Sequence, residues 1–537
     1  MSHSERGNSF VKQAAILAAA SMLVRFIGFL YRVPMTAIIG DEGNAVYSAG
    51  YQVYNFLLIL SSAGLPAAIA KMVSERLALK EYQNAHKVFR VSLVFSGTLS
   101  FVFMVILIIF ARSIAINICK IPDAYYTLLT LAPTIFIVGI MAVYRGYFQG
   151  MNNMIPTAVS QIVEQIFHAV FSVFLAWLFI DNSVALAAAG GTSGTGIGAI
   201  AALSVIFMAY GLNRKKIKRR LSLPSDGYEV ESSATIIKVL LKTAVPIIIG
   251  TAIYSITNLV DMSMVMGRLM DSGAFTHEEA TILYGQLQGK YVTITTLPVA
   301  ISTAIATASI PSIAGSMVLK EYDAVERKIN TAIKISMVIS IPAAIGIAVL
   351  APQILLMIFP TAPGGGTLLR IGAFSIIFLA LSQIVTGTLQ GIGKVKVPAR
   401  NAAVGAVAKI VANYFLIVIP FFNINGAVIA TIICYLVAST LNLRALIKAT
   451  GFTPDMVAIL VKPTIASLIM GVVCFGSYEV CDIFFGNTIS TLASIGVSVV
   501  IYFVIMLVIK GITESDIRLL PAGGKLVAIS RKLRLLK

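Results

Sequence analysis

Apolar residues in this chain do not follow the three-to-four-residue rhythm of a surface helix. They come in solid runs, each closed by a short polar or charged stretch. The runs fall near 14–39, 46–70, 88–111, 125–148, 157–180, 190–211, 237–267, 281–311, 331–355, 367–391, 399–420, 424–447, 457–482 and 490–510. About 20 apolar residues, rising ~1.5 Å each, cross the ~30 Å hydrocarbon core of a bilayer. Backbone N–H and C=O groups find no water there and must pair within their own element, so helices are expected. Barrel strands would show period-2 segments of about ten residues, and this chain does not. The pattern predicts an all-α polytopic membrane protein of fourteen transmembrane helices. The opening "MSHSERGNSFVKQ" is polar and the run behind it too long for a signal-peptide core, so it reads as a retained first helix.

Composition agrees: 58% of the 537 residues are hydrophobic and 12% charged, against about 25% charged in soluble domains. The net charge of +18 would suit nucleic acid were it spread over one face. Instead Lys and Arg crowd alternate connections (Arg6 and Lys12, then 71–90, 212–242, 317–334, 392–400, 444–462 and 510–537), whereas the opposite loops hold Arg112, Lys120 and Arg268. This positive-inside bias places both termini in the cytoplasm. The runs "NRKKIKRR" (213–220) and "RKLRLLK" (531–537) are then expected to touch anionic membrane lipid, with no nucleic-acid partner. Cys119, Cys434, Cys474 and Cys481 show no metal spacing. Cys474 and Cys481 would lie about 10 Å apart on one helix, too far to bridge. No metal or cofactor is expected.

The chain also repeats itself. "LKEY" occurs at 79–82 and 319–322, and "YFQGMNNMIP" (147–156) parallels "TLQGIGKVKVP" (388–398), at offsets of about 240. Each repeat has an even number of spans, so the copies are parallel, the arrangement of transporters with a path between two lobes. The expected organisation is an N-terminal six-helix lobe (1–235), a C-terminal six-helix lobe (236–450), and a terminal helix pair with a basic tail (451–537).

Against this background the charges inside the spans carry the functional question. Arg25 and Arg32 lie seven residues apart on the first helix, about 10 Å along its axis and nearly on one face. A charge at mid-bilayer costs at least ~2.5 kcal/mol and is paired or functional. Guanidinium suits forked recognition of phosphate, so the two form a candidate ladder for an anionic substrate. Lys290, after Gln286 and Gln288, is a candidate third cation; the alternative is an ammonium satisfied by a nearby carbonyl. Tyr47, Tyr51, Tyr54 and Asn55 form a stripe on the second helix that serves as packing or as a sugar platform. Asn258 with Asp261, and Glu164 one turn before His168, are either structural charge partners, with Lys409 a candidate cation for them, or sites for a coupling ion or proton. Arg145 and Arg370 lie near helix ends, where snorkelling is expected. "GGTSGTGIGAI" (190–200) lacks the Lys-Ser/Thr ending of a phosphate loop and reads as close helix packing. There being no ATPase motif, transport is expected to draw on the membrane potential or a Na+ or H+ gradient.

"AASMLVRFIGFLYRVPMTAIIGDEGNAVYS" (19–48) followed by "SSAGLPAAIAKMVSE" (61–75) resembles the polysaccharide-export branch of the multidrug/oligosaccharidyl-lipid/polysaccharide (MOP) flippase superfamily, in particular the stage V sporulation protein B group and the MurJ lipid II flippases. The resemblance extends over essentially the whole chain. It implies a flippase, not an enzyme, in the plasma membrane of a Gram-positive bacterium, acting as a monomer. It also implies transfer of an undecaprenyl-diphosphate-linked saccharide, lipid II foremost, from the inner to the outer leaflet by alternating access. Arg25 occupies the position of one cavity-lining arginine of that family; a second falls at Tyr31, with Arg32 next to it, and one on the eighth helix falls near Lys290. The family's second-helix arginine has no counterpart in "FLLILSSAGLP". The terminal pair, 457–510, corresponds to a lipid-tail groove. Competing expectations are a multidrug/cation antiporter of the same superfamily, or a flippase for another lipid-linked polysaccharide. A membrane glycosyltransferase would need a catalytic acid at the outer face, where Asp41, Glu42, Asp123, Asp181 and Asp271 are scattered.

Overall fold

The structure, a computed structural model, describes residues 3–222 and 228–513, and among these residues it contains helices and connecting turns but no strand. Among the described residues, ten helices are long and apolar enough to cross a membrane, against the fourteen expected. One of the ten, Val457–Val508, is broken at Gly486 into the two expected terminal spans. The expected spans 237–267 and 399–420 lie on helices outside that set, and 14–39 is divided between a shorter apolar helix ending at Leu30 and the start of Arg32–Ala78, one of the ten; the helix bearing 399–420 carries Lys396, Arg400 and Lys409 within 21 residues. The basic tail 531–537 lies outside the described residues.

The chain forms two compact units, Met1–Gly267 and Arg268–Lys537. The first contains α1 (His3–Leu30), α2 (Arg32–Leu58), α3 (Leu65–Ala78), α4 (Tyr82–Ser113), α5 (Ala124–Gly150), α6 (Ile155–Phe179), α7 (Val184–Leu221) and nearly all of α8 (Ser233–Asp271). The second contains α9 (His277–Gly285), α10 (Val292–Val318), α11 (Tyr322–Val349), α12 (Ala351–Ile358), α13 (Gly366–Gly372), α14 (Ser375–Gly391), α15 (Lys396–Leu416), α16 (Asn423–Thr450) and α17 (Lys462–Val508). Single π-helical turns join α2 to α3 (Ile59–Ala63) and α9 to α10 (Gln286–Tyr291).

The start of the chain shows how local chemistry sets the breaks. Pro34 has no N–H to offer the Leu30 carbonyl, so the helical ladder is interrupted between α1 and α2. The rod nevertheless continues, with Tyr31 N–H donating to Ile27 O (3.2 Å) and Met35 N–H to Tyr31 O (3.1 Å). The true break comes at Gly40, whose φ of 64° and ψ of −167° only glycine adopts without strain. Asn44 secures it by donating its side-chain amide to Gly40 O at 2.8 Å.

Both units are built from the same internal contacts. In the two "LKEY" turns Lys80 and Lys320 take left-handed φ values of 62° and 59°. Glu81 N–H donates to Arg76 O (2.8 Å), and Glu321 N–H to Ser316 O (3.0 Å). Gly146 packs on Pro66 and Gly387 on Ala306; Gly150 packs on Ala70 and Val73, and Gly391 on Ile310 and Ile313. Each pair of partners is 240 residues apart, so the duplication read from two short motifs extends to the packing of α5 on α3 and of α14 on α10.

The core of the first unit joins Leu65, Ile69, Met72 and Val73 of α3 and Val88 and Phe89 of α4 to Ile236, Leu240 and Ala244 of α8. Because the first half of α8 is part of this core, the compact units divide near its far end, whereas the sequence places the lobe boundary at 235/236. The chain entering α8 is pinned by a bidentate ion pair. Arg76 Nε and Nη2 donate to Glu231 Oε1 (2.7 Å) and Oε2 (2.6 Å), and Nη1 donates to Met72 O. Buried Asn84 donates to Glu229 O and accepts from Glu231 N–H. Forked, largely shielded pairs of this kind are worth more than exposed ones. Arg76→Ala should therefore destabilise the purified protein by about 1–3 kcal/mol. Lys71→Ala, which breaks an exposed i,i+4 pair with Glu75, should lower the melting temperature hardly at all. Thermal unfolding of both variants in detergent checks the contrast.

Candidate functional site

The predicted residues of the first unit converge. Arg32 lies partly buried with its Cζ 5.3 Å from the Tyr47 ring centroid, a cation–π contact. Beneath it, Tyr31 OH and Tyr47 OH are 3.2 Å apart, and Tyr47 OH is 3.4 Å from His168 Nε2. The Tyr31 and His168 rings meet at 4.9 Å. Tyr47 stacks on Tyr51 at 5.7 Å, and Tyr51 packs on Tyr54 at 5.5 Å. The tyrosine stripe is thus the inner lining of the unit, with Tyr47 and Tyr54 buried, Tyr51 and Asn55 half-buried.

Arg25 differs from all of these. It is exposed, and it has no hydrogen-bond or ion-pair partner among the described residues. Seven residues before Arg32 on a rod that continues through Tyr31, it shares the Arg32 side of α1 to within roughly 20°. The opposite side of α1 presents Ile27, Tyr31, Pro34 and Ile38 to an apolar groove shared with Val170, Phe174 and Trp177 of α6. Arg25 therefore does not point into that groove.

Two residues of the site escaped the sequence reading. Thr195 Oγ1 lies 3.2 Å from His168 Nε2, giving that nitrogen a second hydroxyl neighbour. Its place comes from the glycine run read as packing. Gly191 is against Met35 and Tyr47, Gly194 against Ser172, and Gly198 against Glu164 O, which brings α7 close enough to α6 for the contact. The second is Arg145. Near a helix end it suggested snorkelling, but its Nη2 donates to Glu164 Oε2 at 2.7 Å and its Nε to Ser160 Oγ at 3.0 Å. The cation that pairs with Glu164 is Arg145 on the neighbouring helix; α5 and α6 are joined by the short turn at 151–154, from which Arg145 stands about one and a half turns and Glu164 almost three.

The remaining candidates lie elsewhere on the chain. On α8, Asn258 is exposed and Asp261 buried. Lys409 is buried on α15 of the second unit. Lys290, also in that unit, is 1% exposed, and its ammonium donates to the carbonyls of Ala362 and Gly364.

Helical hydrophobic spans, a duplicated helical unit and an intramembrane cation–aromatic cluster define a polytopic membrane transporter. A family model described as polysaccharide biosynthesis protein matches residues 10–317, and one described as MatE matches 291–415. Stage V sporulation protein B of Bacillus subtilis is 27% identical over 526 residues, covering 97% of this chain and 99% of its own. Lipid II flippase MurJ of the same organism is 26% identical over 478 residues, 85% of this chain and 86% of its own. The solved inward-facing structure of a multidrug resistance MATE family transporter of the MOP superfamily superposes with a TM-score of 0.67 at 16% identity, covering 81% of this chain and 98% of that one. The chain belongs to the polysaccharide biosynthesis protein family.

The Arg145–Glu164 pair can be tested by a double-mutant cycle. Arg145→Met should destabilise by about 2–4 kcal/mol because it leaves Glu164 charged and unpaired, and adding Glu164→Leu should recover most of the loss. Melting temperatures of the four proteins give the coupling; additive losses would mean the pair does not stabilise the unit.

Proposed function

We propose that this protein is a flippase for an undecaprenyl-diphosphate-linked saccharide, with lipid II the foremost candidate. The observation that carries the reading is Arg25: an exposed guanidinium without a partner, on the side of α1 that it shares with Arg32. An isolated cation at that depth costs at least ~2.5 kcal/mol in lipid, a penalty that an incoming diphosphate offsets by forked, charge-assisted hydrogen bonds. In this mechanism Arg25 meets the diphosphate first. Arg32, held over Tyr47, takes a second oxygen, and the half-buried face of Tyr51 and Asn55 offers stacking and hydrogen bonds to sugar. The isoprenoid tail stays in the bilayer while the duplicated units alternate access. Lipid II flippase MurJ over 86% of its length, and the family's polysaccharide biosynthesis, support the reading.

The inner ends carry cations: Arg214, Lys215, Lys218 and Arg219 are exposed on the last turns of α7. In this reading they rest on anionic lipid of the cytoplasmic leaflet, at about 1 kcal/mol each. The inside-negative potential then draws the unloaded, cationic carrier inward and helps to reset it, since a charge crossing the field experiences ~2.3 kcal/mol per 100 mV.

Arg25→Glu should abolish export of the lipid-linked precursor while membrane insertion and melting temperature stay near wild type, and Arg25→Lys should retain partial activity. The measurement is the inner-leaflet fraction of labelled precursor in cells depleted of the wild-type protein. Full activity of Arg25→Glu, or extrusion of cationic dyes with precursor export unchanged, would favour the antiporter reading instead. Dissipating the potential with valinomycin and potassium should slow flipping several-fold; an unaltered rate would remove the reset step.

A further inference from the structure

Lys290, 1% exposed, is a fully enclosed cation of the second unit, and its surroundings have the form of an ion site. Its Nζ donates to Ala362 O at 2.5 Å and Gly364 O at 3.0 Å, and the Phe359 ring centroid is 5.9 Å away. The oxygens belong to the turn between α12 and α13. Gly365, at φ 98°, bends that turn back in the left-handed region, so that the carbonyls just before it face the ammonium. Gln286 Oε1 sits beside it, 3.4 Å from where a Gly365 Cβ would be. The other end of the turn is seated by Gly366 against Pro352. Ammonium–oxygen distances of about 2.7–3.0 Å are ordinary for charge-assisted hydrogen bonds.

The duplicated unit shows what the lysine replaces. The residue 240 positions earlier is Gly50, and a Cβ there would lie 2.2 Å from Thr127 Oγ1. In the first unit, therefore, the α2 backbone closes directly on α5. In the second unit the corresponding position carries Lys290, whose ammonium reaches the turn between α12 and α13.

We propose that the turn at 359–365 forms a monovalent-cation site whose resident cation is the protein's own Lys290, and that truncating the lysine opens the site to a free ammonium or potassium ion. The two oxygens that the ammonium meets at Ala362 and Gly364 are neutral backbone carbonyls, donors that suit a monovalent ion rather than a divalent one, which prefers carboxylate. The role assigned to Lys290 is to fasten the α12–α13 turn to α9 and α10, and it does not depend on what the protein transports.

The test uses the full-length chain in detergent, as wild type, Lys290→Ala and Lys290→Met. Each is melted in ammonium, potassium, sodium or N-methylglucamine chloride at one ionic strength. Wild type should be indifferent to the cation. In N-methylglucamine both variants should melt about 4–8 °C lower. Ammonium or potassium should restore at least half of that shift in Lys290→Ala, but not in Lys290→Met, whose side chain fills the channel. Equal melting of the variants and wild type in N-methylglucamine would overturn the proposal. So would a loss in Lys290→Ala that no small cation reverses, or a recovery shared equally by Lys290→Met, which is a bulk salt effect. Should Lys290→Ala not fold, Lys290→Cys alkylated with bromoethylamine, which rebuilds a lysine-like ammonium, replaces it. Alkylation should then raise the melting temperature, and no rise would reject the site.

Discussion

A cation at hydrocarbon depth must be given an oxygen, a carboxylate or an aromatic face, because water is not there to supply its hydration. This protein uses each solution in turn. Arg145 takes the carboxylate of Glu164, Lys290 the carbonyls of Ala362 and Gly364, and Arg32 the face of Tyr47. Each solution fixes neighbouring segments: α5 to α6, the α12–α13 turn to the start of α10, and the two arms of α2 on either side of Gly40. The compensated charges are part of the scaffold.

Duplication supplies the frame on which these differences are drawn. The glycine contacts that seat α5 on α3 recur 240 residues later between α14 and α10, and the left-handed Lys80 turn recurs at Lys320. Packing against backbone tolerates little change, since a Cβ at Gly146 or Gly150 would meet main-chain atoms of α3 within 3 Å. Polar positions are freer. Tyr51 stacks on Tyr47 in the first unit, whereas Tyr291, its counterpart, donates its hydroxyl to Ser375. Gly50 and Lys290 diverge more sharply still. One ancestral framework thus carries a cation–tyrosine cluster in one copy and a lysine-held turn in the other.

Much of this was legible from the residues because the bilayer restricts the choices. Run length gave helices, and Gly40 and Gly486 sit between expected spans. Legibility failed where an outcome depends on two segments meeting in space. Nothing local marks Arg145 as the partner of Glu164, and a residue near a helix end is equally free to snorkel until α6 is laid beside α5. Thr195 was hidden in a run whose glycines were read correctly as packing, although close packing is what delivers its hydroxyl to His168. The span count diverged for a related reason: helices such as α15 carry enough charge to fall short on hydropathy alone, and are judged by what they pack against.

Arg25 then stands out by elimination. Arg32, Arg76 and Arg145 are committed to a ring or an acid, whereas Arg25, like Arg90 and Arg112 of α4, is exposed without such a partner among the described residues, and of these three it alone shares its helix side with Arg32. On the proposed reading, the state in which this guanidinium is satisfied includes something the chain does not contain. The chemistry of that missing partner is constrained. It must be anionic, since five N–H donors offer nothing to a cation, and it must tolerate an adjacent apolar surface, because Arg25 has Met22, Leu23 and Phe26 exposed around it. A headgroup with phosphate oxygens joined to a long hydrocarbon meets both conditions at once; a hydrophilic anion meets the first alone, and a lipophilic cation the second alone.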